Sequence, residues 1–156
     1  MRRYALLYEK LLAEVEKEGI NVFEADIGRL KGLYIDGNIA LNSSIETYSE
    51  MACVLAEELG HHHTTHGNIL DQNKPENRKQ ERRARAWAYE RLVSLKKLIE
   101  ASNQGIRNRY ELAEFLGVSE RFIEEAIQYY REKYGLYCKL DDYIIYFEPL
   151  GVFKKL

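Results

Sequence analysis

Two cysteines, two prolines and one tryptophan are all that 156 residues carry of these types, and the scarcity excludes several protein classes. Cys53 and Cys138 are too few to build a disulfide framework. Long apolar runs are missing as well. The longest near the middle, Met51 to Ala56, falls far short of the roughly 18 residues a membrane span needs. Behind Met1-Arg2-Arg3-Tyr4 the chain soon carries Glu9, Lys10, Glu14, Glu16 and Lys17, so no secretory signal is expected. No excess of one charge sign exists either: 23 basic against 25 acidic side chains give a net charge of −2, and that balance offers no case for a nucleic-acid protein. With 46 % hydrophobic and 31 % charged residues, and neither a repeat nor a low-complexity segment, a disordered tail and a fibrous repeat are also excluded. The expectation is a cytoplasmic globular chain, one domain or a core with a small appended subdomain.

Locally the charge is uneven. Lys74 to Lys97 holds nine Lys or Arg and three Glu, whereas Glu111 to Glu148 holds nine acidic and four basic residues. The basic stretch reads as a solvated helix face or as a surface for an acidic partner.

Leu6, Leu7, Leu11, Leu12 and Val15 recur at helical spacing, predicting an amphipathic helix from residue 2 to about 18 that ends near Gly19. A strand is expected around Ile20 to Phe23. Two β-prone runs, Leu33 to Ile35 and Asn38 to Leu41, flank Asp36-Gly37, a pair suited to the positive φ angles of a tight hairpin. Thr47-Tyr48-Ser49-Glu50 has the form of a capping box, predicting a helix from about Tyr48 to at least His61. After a polar stretch, Pro75 suits a helix start, and one helix is expected from about Pro75 or Arg78 to about Ala101, bent near Ser94. Glu111 to Ile127, with Ala113, Gly117 and later apolar positions, describes a helix-turn-helix. The tail from Leu136 to Phe147 alternates around Asp141-Asp142 as a wing-like hairpin.

All four histidines, His61, His62, His63 and His66, lie within six residues. On the helix before them Glu57 and His61 are four apart and share a face, with Glu58 beside them. Zinc peptidases use this spacing in the motif H-E-x-x-H, whose Glu acts on a water. Here the string is E-E-x-x-H. Tyr48, Met51, Leu55 and Leu59 form one stripe of the helix, and Cys53, Glu57 and His61 form a line on the other side. A helix packed on both sides is buried, so its carboxylates and imidazole need partners or a metal. The same string would suit a solvated polar face, which makes a third donor decisive. Glu81 supplies a candidate. It is the charged member of a stripe otherwise made of Ala84, Ala88, Leu92 and Leu95, about twenty residues after His61.

These parts together resemble the ImmA/IrrE family of metallopeptidases, particularly the short versions found on phages and integrative elements. Its H-E-L-G-H helix corresponds to Glu57-Glu58-Leu59-Gly60-His61. Its following E-x-x-A-x-x-F-A helix corresponds to the segment from Glu81 to Ala88, with Trp87 where the family has Phe. The resemblance covers about residues 1 to 95, and the helical tail is similar to that of short members. It implies His61 and Glu81 as metal ligands, Glu58 as general base, and Glu57 at the position of the first His. A Glu-His-Glu set carries two negative charges instead of one. That makes water bound there less acidic and shifts preference from zinc somewhat toward harder ions such as manganese.

The implied fold is α+β and mainly helical. A zincin-like active-site helix with a small antiparallel sheet occupies residues 1–104, and a helix-turn-helix-like subdomain with a terminal hairpin occupies 105–156. The implied function is a metal-dependent endopeptidase that cleaves a cytoplasmic helix-turn-helix repressor of a phage or mobile element. The alternatives are a catalytically inactive scaffold that binds partners, and a DNA-binding regulator. Against the last, Ser119 to Lys133 carries Glu120, Glu124, Glu125 and Glu132 where DNA-facing residues would sit, for a net charge of −1, so no direct DNA binding and no membrane association are expected.

Overall fold

In the computed structural model, which describes residues 2–64 and 75–156, the chain opens with helix α1 (Arg2–Lys17). Leu11 and Val15 on its apolar stripe are fully buried, whereas Leu6 is half exposed. Gly19, at φ +73°, reverses the chain, and the Ile20 amide donates back to the Val15 carbonyl at 3.0 Å.

Strands β1 (Asn21–Ala25), β2 (Gly32–Ile35) and β3 (Asn38–Asn42) follow. The β2–β3 hairpin forms where expected, with Asp36 and Gly37 both at positive φ. The sheet is mixed, however, and not antiparallel. Its order is β1-β3-β2, and β1 runs parallel to β3. Burial explains the order: Ile39, Ala40 and Leu41 make β3 the most apolar strand, so it takes the centre while β1 and β2 take the edges.

Helix α2 (Tyr48–Thr64) is the hub of the fold, packed by α1, β2, β3 and helix α3 (Pro75–Leu92). It starts at the Thr47 hydroxyl, which accepts from the Glu50 amide at 3.2 Å. The second half of the expected capping box does not form, because the Glu50 carboxylate pairs with Lys31 instead. The long helix expected from Pro75 to Ala101 is two helices. It breaks after Leu92, and Ser94 caps α4 (Leu95–Asn103) by accepting from the Lys97 amide at 3.2 Å. The buried Tyr130 hydroxyl donates to the Val93 carbonyl at that break, at 2.8 Å.

Helices α5 (Arg109–Leu116) and α6 (Glu120–Tyr134) are joined through Gly117 in the left-handed region, and Ser119 caps α6. The terminal hairpin is β4 (Tyr137–Leu140) and β5 (Tyr143–Phe147), extended by a third antiparallel strand, β6 (Leu150–Lys154). One hydrophobic cluster runs from Leu11 to Phe147. No helix among the described residues is long and apolar enough to cross a membrane.

Candidate functional site

Two close approaches set the site's dimensions. A Cβ on Gly60 would stand 2.4 Å from the Ala84 carbonyl oxygen, so α2 and α3 touch backbone to backbone at this point. A Cβ on Gly32 would stand 2.6 Å from Val54 Cγ1 and 2.8 Å from Glu58 Oε1, so β2 lies directly on α2. The Glu57–His61 turn of α2 is therefore pinched between the edge strand and α3.

Within this pinch His61 Nε2 meets Glu81 Oε2 at 3.1 Å, with His61 almost wholly buried. The other Glu81 oxygen lies 3.6 Å from a terminal nitrogen of Arg85, one helical turn further on. Glu58 is buried and Glu57 half-buried. Burial pushes both carboxyls up to about 7; the Arg85 charge opposes this chiefly at Glu57, and the His61 charge chiefly at Glu58. Burial pulls the other way on His61, but its hydrogen bond to Glu81 and the charges of Glu58, Glu81 and Glu57 outweigh it, so the imidazole holds its proton more tightly than usual. Among the described residues no group of three or more His, Cys, Asp or Glu side chains is arranged to hold a metal ion. The closed contact is His61–Glu81, with Glu57 and Glu58 electrostatically coupled to it.

Glu57, Glu58 and Glu81 line a groove of about 1250 Å³. Arg29 to Gly32 form one rim, α3 residues including Arg85 and Tyr89 a second, and Ser119 with α6 residues including Phe122, Glu125 and Lys133 a third. Sequence reasoning did not assign Arg85, Tyr89 or α6 to the site. Arg85 could have been found from its spacing of four after Glu81. No local signal marks α6, which reaches the groove from a distant part of the chain: the Tyr89 hydroxyl donates to Glu125, 36 residues on, at 3.0 Å.

His62 and His63 turn away from the groove. Nδ1 of His62 shares a 2.7 Å hydrogen bond with the Tyr34 hydroxyl, and His63 stacks on Trp87 with its Nε2 at 3.2 Å from Glu18. Together they fasten the end of α2 to β2, to α3 and to the residue that follows α1. His66 lies outside the described residues.

The sequence model of the IrrE N-terminal-like domain, a peptidase family designated M78, matches residues 15–128, from the last turn of α1 into α6. No curated protein and no solved structure matches the chain.

Proposed function

Because the chain belongs to the M78 peptidases with an IrrE N-terminal-like domain, we propose that it is a metal-dependent endopeptidase working through an E-E-x-x-H variant of the family's motif. Membership in this family implies a divalent metal, typically zinc, and a protein substrate. The observation that carries the proposal is the buried His61–Glu81 contact with Glu58 beside it.

The donors suit a divalent ion. Two ligands of a tetrahedral zinc, each about 2.0–2.1 Å from the metal, stand roughly 3.3 Å apart. His61 Nε2 and Glu81 Oε2 are 3.1 Å apart, close to that edge. Glu57, on the same face of α2 as His61, is the third ligand in this reading. The set is oxygen-weighted, which admits manganese beside zinc. When bound, the ion would polarise a peptide carbonyl and make water more acidic.

The chain's own residues do the rest. Glu58 is the general base: its carboxyl, pushed up to about 7, is poised near neutral pH to take a proton from the attacking water. The same oxygen then returns the proton to the leaving amide nitrogen. Residues 1–104 carry this machinery in the proposed division. Residues 105–156 form a helix-turn-helix-like subdomain whose α6 walls the groove, a position that suits protein rather than DNA contact. The proposed substrate is a cytoplasmic helix-turn-helix repressor of a phage or mobile element, following the family resemblance.

A second reading is an inactive scaffold, favoured by Glu57 at the first motif position and by the lack of a three-donor group among the described residues. Metal analysis of the chain purified without added metal, followed by a cleavage assay with a helix-turn-helix repressor, tests both. Bound metal at one equivalent with cleavage supports the peptidase. A chain that holds no metal and leaves the repressor intact is the scaffold.

A further inference from the structure

Peptide hydrolysis builds negative charge on the scissile carbonyl oxygen, and a donor aimed at that oxygen lowers the barrier. Besides Arg29, Arg82 and Arg83, the groove's rims carry four cations with ion-pair partners. Lys31 pairs with Glu50, Arg121 with Glu125 at 3.0 Å, and Lys133 with Glu90 at 2.6 Å. Tyr89, a hydroxyl donor facing the groove from α3, is buried and donates to Glu125.

Arg85 is different. Its guanidinium is about half exposed, and its one ion-pair contact among the described residues is the 3.6 Å approach to Glu81. That distance is too long for a good hydrogen bond, and the guanidinium carries five N–H donors in a planar fork. Its anchor is one helical turn from Glu81, and it lines the same groove as the carboxylates of Glu57, Glu58 and Glu81. Its charge acts on both Glu57 and Glu58. If Glu81 turns a carboxylate oxygen toward a cation, the hold on Arg85 loosens further.

We propose that Arg85 is a catalytic residue whose guanidinium donates to the scissile carbonyl oxygen and binds the oxyanion as it forms. This rests on the peptidase reading given above. As the water oxygen bonds to the carbonyl carbon, the carbonyl π electrons move onto the oxygen held by Arg85, and Glu58 takes the water's proton. When the carbon–nitrogen bond breaks, the carbonyl re-forms and the proton passes to the departing nitrogen. One water is consumed, and an acid and an amine result.

The test compares two probes on the zinc-loaded full chain. N-phosphoryl-Leu-Trp carries a tetrahedral anion resembling the transition state, and acetyl-Leu-Trp-amide has only the planar carbonyl. The expected result is that Arg85→Met weakens the phosphoryl probe about 100-fold while leaving the acetyl probe and the zinc content unchanged. Arg85→Lys should fall between, because it keeps the charge and loses the fork. Lys79→Met, the same charge change on the outside of α3, should alter neither probe. Equal weakening of both probes by Arg85→Met, or a zinc-bearing wild type that binds the phosphoryl probe no better than Arg85→Met, overturns the role of Arg85 alone. A wild-type chain that takes up no zinc overturns the peptidase reading, and this inference with it.

Discussion

Gly60 and Ala84 touch so closely that a methyl on the first would stand 2.4 Å from the carbonyl oxygen of the second. His61 is the next residue after Gly60, and Glu81 lies one turn before Ala84. The helix contact therefore aligns the imidazole with the carboxylate, and the 3.1 Å bond between them follows from it.

Gly60→Ala tests that dependence. In an open helix the change would stabilise by about 1 kcal/mol. Here the obstruction is backbone, which cannot swing aside, so the expected outcome is a net loss on the order of 2 kcal/mol. Divalent-metal affinity should fall with it as His61 and Glu81 separate. Urea denaturation and equilibrium dialysis check both, and a more stable variant would contradict the packing argument.

Glu58→Gln keeps the shape of the side chain and removes its ability to accept a proton. Turnover should drop by about 100-fold or more while folding and metal content stay near wild type. His61→Ala should instead lose metal and turnover together. Bound metal and cleavage of a protein substrate, measured side by side for the two variants, separate the roles. Wild-type cleavage by Glu58→Gln would refute the proposed base.

The metal-free chain should lose stability as pH rises. Burial raises Glu57 and Glu58 from 4.5 to about 7, and His61 also lies above its ordinary 6.5. Each group binds its proton more tightly folded than unfolded. The stability this contributes is complete below about pH 4.5 for the carboxyls and is lost as pH climbs through about 7. In chelator the melting temperature should fall between pH 5 and 8. Glu58→Gln should flatten that slope, and zinc should raise the melting temperature more at pH 8 than at pH 5.5, since the ion displaces the His61 proton. A flat melting profile across this range would speak against the buried cluster.

Tyr130→Phe should cost about 1–3 kcal/mol, because it strips the hydroxyl from the buried Val93 carbonyl at the break between α3 and α4. Chemical denaturation with an unchanged m-value is the expected signature. The Tyr130 side chain does not line the groove, so metal affinity should not change.

Duplex DNA should not bind the full chain with sub-micromolar, salt-sensitive affinity. On the surface of α5 and α6, Arg109 is neutralised by Glu124 and Arg131 by Glu148, which leaves few cations for phosphates. Fluorescence anisotropy at physiological salt provides the measurement.

Taken alone, the sequence determined what depends on neighbours a few residues apart. The hairpin follows from Asp36-Gly37, α1 from the leucine period, and the shared face of Glu57 and His61 from four-residue spacing. The odd carboxylate of Glu81 stood out on its apolar stripe for the same reason. Tertiary structure decided what depends on distant partners, which leave no period in the chain. It made β3 the central strand and β1 its parallel neighbour, because burial of Ile39 and Leu41 outweighs the order in which the strands are made. It split the long helix at Ser94, where a Tyr130 hydroxyl from α6 takes the free Val93 carbonyl. It turned His62 and His63 from the groove, since consecutive helix residues diverge by about 100° and Tyr34, Glu18 and Trp87 waited on that side. Above all it laid α6 along the groove. Glu125 reaches Tyr89 only because the apolar faces of α3 and α6 must bury each other, a demand that no local stretch of sequence expresses.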